Sequence, residues 1–380
     1  MSRILVDQVR SNSASSDAIT LDGSGNVTVP GNITLSGNAT LSGTATGFPK
    51  GKATNIIVNG DLRVAQRGSS SNSQNGPQTA DRFGKYTNST DETPVQEQVD
   101  VASGTTPYTL GFRKAYKITN GNQTSGGSTT TRVGIEYKIE AQDLANSGWN
   151  YLSSTSYITF SYWVKSSVAQ NFYNTFGTDD GTSQRYVTET GSLSANTWTK
   201  ITKTIPGNSN LTFNNDTGEG LEITWECFRG TSQTGTRPLN AWAASDNNTR
   251  TPDQTSTWYT TNDATFEITG VLLEVGDSAS DFPHRSYGEE LALCQRYYYK
   301  QASTFYGFFG YGTNSGTNQM GNLIRPVDMR ANPTITYTTG GYWSAGPYAG
   351  GNGGYYSYVY GQTTSSNGPN LSNYQLDAEL

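Results

Sequence analysis

Between Gly25 and Gly47 glycine recurs at every sixth position, in Gly25-Asn-Val-Thr-Val-Pro, Gly31-Asn-Ile-Thr-Leu-Ser, Gly37-Asn-Ala-Thr-Leu-Ser and Gly43-Thr-Ala-Thr-Gly. A short internal repeat of this kind restricts the chain to stacked or zipped strands. Within each unit the apolar residues stand two apart, Val27 with Val29, Ile33 with Leu35 and Ala39 with Leu41. That spacing puts both on one strand face, and Gly-Asn supplies the turn. So few units cannot bury their own apolar face, because a continuous core forms only when several turns stack. Three parallel copies about one axis would cover it and hide the strand edges. A flexible Gly/Thr linker is the competing reading, and the apolar alternation opposes it.

The rest of the chain carries the same bias. Of 380 residues 43 are Gly and 24 Tyr, while charged residues reach only 15%; Thr, Val, Ile and aromatic residues suit a pleated surface with Gly/Asn turns better than a helix. Aromatic residues at 12% bury enough area to oppose disorder. The formal charge of -6 without a basic cluster gives a phosphate backbone no counter-charge, so no nucleic-acid partner is expected. Residues Met1 to Arg10 lack a signal-peptide core and no stretch is apolar enough to span a bilayer, so no export and no membrane insertion are expected. Cys227 and Cys294 are expected to be unpaired and buried.

From Ala53 to about His284 short aromatic or β-branched runs alternate with polar loops. Candidate strands are Asn55 to Val58, Lys114 to Thr119, Arg132 to Ile139, Ser156 to Val164, Thr197 to Ile205, Leu221 to Phe228 and Thr265 to Val275, which fit a double-sheet jelly roll. One helix is marked, in Ser286-Tyr-Gly-Glu-Glu-Leu-Ala-Leu-Cys-Gln-Arg-Tyr-Tyr-Tyr-Lys, where Ser286 and Glu289 have capping-box spacing. Beyond it, Phe305 to Tyr311, Asn322 to Val327, Thr334 to Tyr337 and Tyr355 to Tyr360 read as strands of a small sandwich. The expected fold is thus all-β: a trimeric stalk over 1–52, a jelly-roll β-sandwich over 53–285, and a connecting helix with a small C-terminal β-sandwich over 286–380, in a homotrimer.

Five segments together resemble tail fibre proteins of bacteriophages, especially of marine and cyanobacterial phages. They are Asn59-Gly-Asp-Leu-Arg-Val-Ala-Gln-Arg-Gly, Ala80-Asp-Arg-Phe, Leu273-Glu-Val-Gly-Asp with Phe282-Pro-His-Arg-Ser-Tyr-Gly-Glu-Glu-Leu-Ala-Leu-Cys-Gln-Arg-Tyr-Tyr, Pro326-Val-Asp-Met-Arg-Ala-Asn-Pro, and Asp377-Ala-Glu-Leu. The resemblance implies a homotrimer in the virion, made in the host cytoplasm. Its N-terminus would attach to a tail baseplate, tube or adaptor protein. A jelly roll like a carbohydrate-binding module would form its body, and its tip would bind a bacterial surface glycan such as lipopolysaccharide.

Catalysis finds little to work with. The single histidine, His284, sits in a joint motif and reads as structural; there is no nucleophile elbow, zinc-protease motif or phosphate loop. Paired acids among Asp179, Asp180, Glu136 and Glu226 would be the route to a tailspike depolymerase, but Asp-Asp-Gly reads first as a turn, and no enzyme activity is expected. A virion structural protein without a receptor role is a further alternative. For glycan binding, Tyr342, Trp343, Tyr348, Tyr355 and Tyr356 lie among Gly, Ser and Asn, a mixture that offers amphipathic contact at small entropic cost. No cofactor is expected. A structural calcium at Asn59, Asp61, Glu274 and Asp277 is the alternative, between the first and last strands of such a module; Asx-turns and salt bridges account for the same residues without a metal.

Overall fold

Apolar alternation sends Val133, Ile135, Tyr137 and Ile139 of one strand, and Leu221, Ile223, Trp225 and Cys227 of its neighbour, into a single core, because successive strand residues point to opposite faces. The computed structural model describes residues 54–72, 74–301, 309–310, 318–323, 325–339, 343–352, 356–363 and 371–380, with the short segments 8–9, 19–21 and 27–28. The chain divides into two units, Met1–Lys50 and Gly51–Leu380.

In the first unit β1 (Gln8–Val9), β2 (Ile19–Leu21) and β3 (Val27–Thr28) pair antiparallel in that order. Val27, the first apolar residue of the hexad repeat, is 60% exposed. The remainder of the repeat, 29–47, lies outside the described residues.

The second unit opens with β4 (Ser70–Ser71), β5 (Gly84–Asn88), β6 (Val95–Asp100), β7 (Lys114–Thr119), β8 (Arg132–Glu140), β9 (Tyr157–Ser166), β10 (Asn171–Thr178), β11 (Gln184–Ser192), β12 (Thr199–Pro206), β13 (Glu219–Arg229), β14 (Trp242–Ala244) and β15 (Thr265–Val275). They form two antiparallel sheets, β14-β11-β10-β13-β8-β5 and β12-β9-β15-β7-β6-β4. The inner faces interlock through rings. Phe160 and Tyr162 of β9 lie 5.7 and 5.8 Å from fully buried Trp225, and Phe172 of β10 lies 4.9 Å from Phe266 of β15. These separations favour edge and tilted ring contacts, which add to the area buried.

Three single-turn helices, α1 (Thr106–Thr109), α2 (Ala141–Ala145) and α3 (Thr257–Thr260), connect strands. The marked helix forms as α4 (Tyr287–Gln295), with both capping-box hydrogen bonds between Ser286 and Glu289 in place. After it come β16 (Tyr298–Gln301), β17 (Phe309–Gly310), β18 (Asn318–Leu323), β19 (Thr334–Thr339), β20 (Trp343–Asn352), β21 (Tyr356–Thr363) and β22 (Leu371–Asp377), in sheets β16-β22-β19 and β17-β18-β21-β20. Both cysteines are free and buried.

The all-β expectation therefore holds, with local corrections. Asn55 to Val58 is not a strand: the Asn55 side chain bonds to Val271 O, Ile57 N and Leu273 N, replacing a ladder with an Asx-type anchor. Gly60 follows Asn59, which holds a positive φ of 61°, and a Cβ on Gly60 would stand 2.1 Å from Val271 O. This turn is seated against the bulge of β15 between Thr269 and Leu272. The strand expected from Asn322 to Val327 instead runs Asn318–Leu323.

Candidate functional site

The outward face of the β14-β11-β10-β13-β8-β5 sheet is polar, and strand register lays it out in three rows. The first runs Ala243, Arg185, Gly177, Glu222, Lys138; the second Val187, Thr175, Thr224, Glu136, Gly84; the third Glu189, Tyr173, Glu226, Gly134, Tyr86. These positions alternate with the core residues of the same strands. Ordinarily such a face belongs to water. Here Arg185, Thr175, Thr224, Glu226, Tyr173 and Tyr86 are all buried. The segment between β14 and α3 holds one side of it, with Gln254 donating to Glu226 O and Cys227 O at 2.8 and 3.2 Å. Arg237 donates to the carbonyls of Thr249, Arg185, Ala243 and Ala244 at 3.0 to 3.3 Å.

Hydrogen bonds fix the floor. Glu226 receives Arg229 through Nε at 3.1 Å and Nη2 at 2.5 Å, Thr224 Oγ1 at 2.9 Å, and the Tyr86 hydroxyl. Gly134 lies beneath that phenol, where a Cβ would come within 2.5 Å of the Tyr86 oxygen. Burial alone would raise the Glu226 carboxyl, but Arg229, Tyr86 and Thr224 outweigh it and hold it below its ordinary value. Glu136 behaves oppositely. Burial first, then the Glu222 carboxylate beside it, push it from 4.5 up to about 7.

A carboxyl whose pKa is higher folded than unfolded stabilises the fold below its unfolded value and loses that contribution as pH rises through the folded one. Asp81, pushed up to about 6 by burial, acts in the same direction. Glu136→Gln is accordingly expected to leave stability near pH 4 unchanged and to raise it at pH 8 by on the order of 2 kcal/mol. Denaturant melts at the two pH values check this; an equal change at both would remove Glu136 from the account.

The five recognised segments meet elsewhere, in one joint between the sandwich and the C-terminal sheets. Arg67 lies 3.5 Å over the Tyr298 ring and pairs with Asp377 at 3.1 Å and Glu379 at 3.4 Å. Arg82, 3% exposed, lies 3.5 Å over the Tyr297 ring and pairs with Glu379. Arg285 donates to both Glu290 oxygens at 3.2 Å and to Asn55 O at 2.8 Å. Arg296 grips Glu140 through Nε and Nη2 at 2.9 and 2.8 Å. Arg330 reaches Thr217 O, Ala378 O and Glu379 O at 2.7 to 2.9 Å. Planar guanidinium forks both stack on rings and bond carboxylates, so one residue type can tie all five segments together.

His284 has the structural place its motif suggested, with Nε2 2.9 Å from Leu110 O and its ring 5.1 Å from Phe112. Of the residues named for calcium, the Asn59, Asp61 and Glu274 side chains are engaged by protein groups, while Asp61 Oδ1 is buried without a hydrogen-bond partner. The Asn59 side chain bonds to Val64 N, Val64 O and Asp81 O. Asp61 pairs with Arg63, Glu274 accepts from Ser280 N and Oγ, and the Asp277 carbonyl accepts from Thr204. Among the described residues no group of three or more His, Cys, Asp or Glu is arranged to hold a metal. Asp180 accepts from Asn214 N and Nδ2 in a turn, and Asp179 is exposed. Of the acids named for hydrolysis, only Glu136 and Glu226 share the outward face.

Of the aromatic candidates, Tyr342 and Tyr355 lie outside the described residues, whereas Trp343 and Tyr348 fall on β20 and Tyr356 on β21. Register sets Tyr348 opposite Tyr360 and Tyr356 opposite Asn352. On β21 Tyr360 is 47% exposed and Val359 is fully buried. Sequence reasoning missed Arg185, Glu222 and Thr175. Each is an ordinary polar strand residue, and only register brings them together. Among the described residues no helix is long and apolar enough to cross a membrane.

Fold and face define an antiparallel jelly-roll-type β-sandwich with one polar sheet face. No protein-family model and no curated protein sequence matches the chain. Among solved structures it is similar to the enzymatically active domain of tailspike protein 4 of bacteriophage CBA120, with a TM-score of 0.31 and 8% identity over 58% of this chain and 21% of that one. It is also similar to the N-terminal cellulose-binding domain of Cellulomonas fimi β-1,4-glucanase C, with a TM-score of 0.27 and 10% identity over 57% of this chain and 99% of that one. A third is the xylohexaose complex of Clostridium thermocellum endo-1,4-β-D-xylanase 10B modules, with a TM-score of 0.25 and 8% identity over 50% and 26% of the two chains. Likeness of this degree carries neither ligand nor activity to this chain.

Proposed function

We propose that the protein is a homotrimeric bacteriophage tail fibre or receptor-binding protein that attaches to a bacterial surface glycan such as lipopolysaccharide, and that the sugar lies on the outward face of the β14-β11-β10-β13-β8-β5 sheet. One observation carries the placement of the sugar: carboxylates, hydroxyls and guanidinium groups are held in fixed positions on a sheet face that a sandwich would otherwise give to solvent. Sugar hydroxyls need donors and acceptors already in position, because ordering them at the moment of binding costs affinity. The fibre assignment is supported by the five resembling segments, which gather in one joint. Weak single sites suffice for adsorption when three linked copies act together.

Isothermal titration of purified protein with host surface polysaccharide, beside light scattering for mass, tests this. Binding is expected, with Glu222→Ala and Lys138→Ala on the half-buried rim each weakening it by about 10-fold. Loss on Trp343→Ala and Tyr348→Ala with no effect of the rim pair would move the site to the C-terminal sheet. A stable monomer would end the trimer assignment.

One feature favours a second reading, a tailspike depolymerase. Glu136, pushed up to about 7 by burial and by the Glu222 carboxylate beside it, keeps its proton towards neutral pH, as a general acid must. Release of reducing ends from the polysaccharide, abolished by Glu136→Ala, would establish it.

A further inference from the structure

Arg185 is 5% exposed and projects from β11 onto the outward face, where its guanidinium lies over Gly177; a Cβ at Gly177 would be 3.4 Å from Nη2. Its one side-chain hydrogen bond runs from Nη1 to Thr175 Oγ1 at 3.1 Å. Nε is buried without a partner, and no carboxylate among the described residues pairs with the group. A guanidinium so desolvated is costly unless something negative meets it. Glu222 and Glu226 attract it through space, and neither hydrogen-bonds it. Arg250, which donates only to Asn247 Oδ1, bears on it as a like charge, and Arg229 is spent on Glu226. Arg237 is spent on backbone carbonyls. Glu222 stands one strand beyond Gly177 in the same row.

The unfilled Nε is informative. Nε and Nη2 form the side-on edge of an arginine, the fork that fits the two oxygens of a carboxylate. Among the described residues this same edge meets a carboxylate three times: Arg229 holds Glu226 through Nε and Nη2, Arg296 holds Glu140 through the same pair, and Arg63 holds Asp61 through both. At Arg185 Nε is buried without a partner, and among the described residues no carboxylate bonds to this edge.

We propose that Arg185, with Arg250 beside it, forms a subsite for the carboxylate of an acidic sugar, so that the glycan taken by this face carries uronic acid residues. The inference rests on the reading of the outward face as the glycan site and names the class of sugar it takes. Thr175, through the same hydroxyl that accepts from Arg185, orients the fork. Gly177 leaves the space above the strand open for it, and Glu222 at the far side of that glycine disfavours a second anion, limiting the subsite to one acidic residue at a time.

The test uses the intact chain and a panel of glucuronate- and galacturonate-containing bacterial polysaccharides, each beside its carboxyl-reduced form. At low salt the native polymer is expected to bind at least about 10-fold more tightly than its reduced counterpart. Arg185→Lys, which keeps the charge but not the fork, and Arg185→Gln are both expected to abolish that preference. Melting curves select which of the two variants remains folded, and the native-against-reduced comparison needs no variant at all. Equal binding of native and reduced polymers overturns the uronate subsite while leaving the face as a glycan site. An undiminished preference in a folded Arg185 variant places the charge recognition elsewhere and also overturns it. Failure to bind any polysaccharide, native or reduced, removes both readings together.

Discussion

Arg82→Ala is expected to destabilise the second unit by about 3–5 kcal/mol, because removing one partner of a buried ion pair strands the other. Arg82 is 3% exposed and has four attachments: the Glu379 carboxylate, the Tyr297 ring at 3.5 Å, the Tyr137 ring at 5.2 Å and the Lys138 carbonyl. Truncation leaves Glu379 with Arg67 alone, at 3.4 Å, and opens space beneath the ring. Urea denaturation monitored by tryptophan fluorescence measures the loss. Glu379→Gln should recover part of it in the double variant, since a neutral amide no longer needs the cation. A change below about 1 kcal/mol would mean that the joint is ornamental to the fold.

Arg229→Ala is the second change of this size. Glu226 is fully buried and is kept ionised by Arg229 against the pull of its own desolvation. Without the guanidinium the carboxyl must take up a proton or remain charged and unpaired, at about 3–5 kcal/mol. The sign with pH distinguishes this from simple loss of packing. In the wild type Glu226 titrates below its ordinary value, so its contribution is present above the unfolded pKa and lost as pH falls through the folded one. In Arg229→Ala the carboxyl titrates above its ordinary value and the dependence reverses, so the variant should gain stability towards pH 4 where the wild type does not. Melts at pH 4 and pH 7 decide; a deficit equal at both would assign the role of Arg229 to packing alone.

The strands that sequence alone revealed are those with apolar residues on one face and weight on both ends. Lys114–Thr119 and Thr265–Val275 fall where their β-branched and aromatic runs put them, and Ser286 with Glu289 marked the helix start. β10 and β11 were not legible, because their outward residues, Thr175, Gly177, Arg185 and Glu189, dilute the apolar signal of Phe172, Phe176 and Tyr186. The outward face could not be read for a deeper reason. Its rows join residues from strands far apart in the chain, and a shift of one residue in register would replace every side chain on it. Motif reading found the five segments but not their shared purpose: Arg67, Arg82, Arg285, Arg296 and Arg330 look unrelated until the joint brings them together.

That joint also bears on how the molecule reaches its final form. The contact from Arg67 to Asp377 closes a loop of 310 residues, and contacts between such distant segments form late because the entropy of closure precedes any reward. Until that closure, Arg82 waits beside Tyr137 with its acid still absent, and Arg67 has only Asp81, at 3.9 Å. The sandwich should therefore collapse first, and a slow kinetic phase, sensitive to Glu379, should report the moment when the last segment docks.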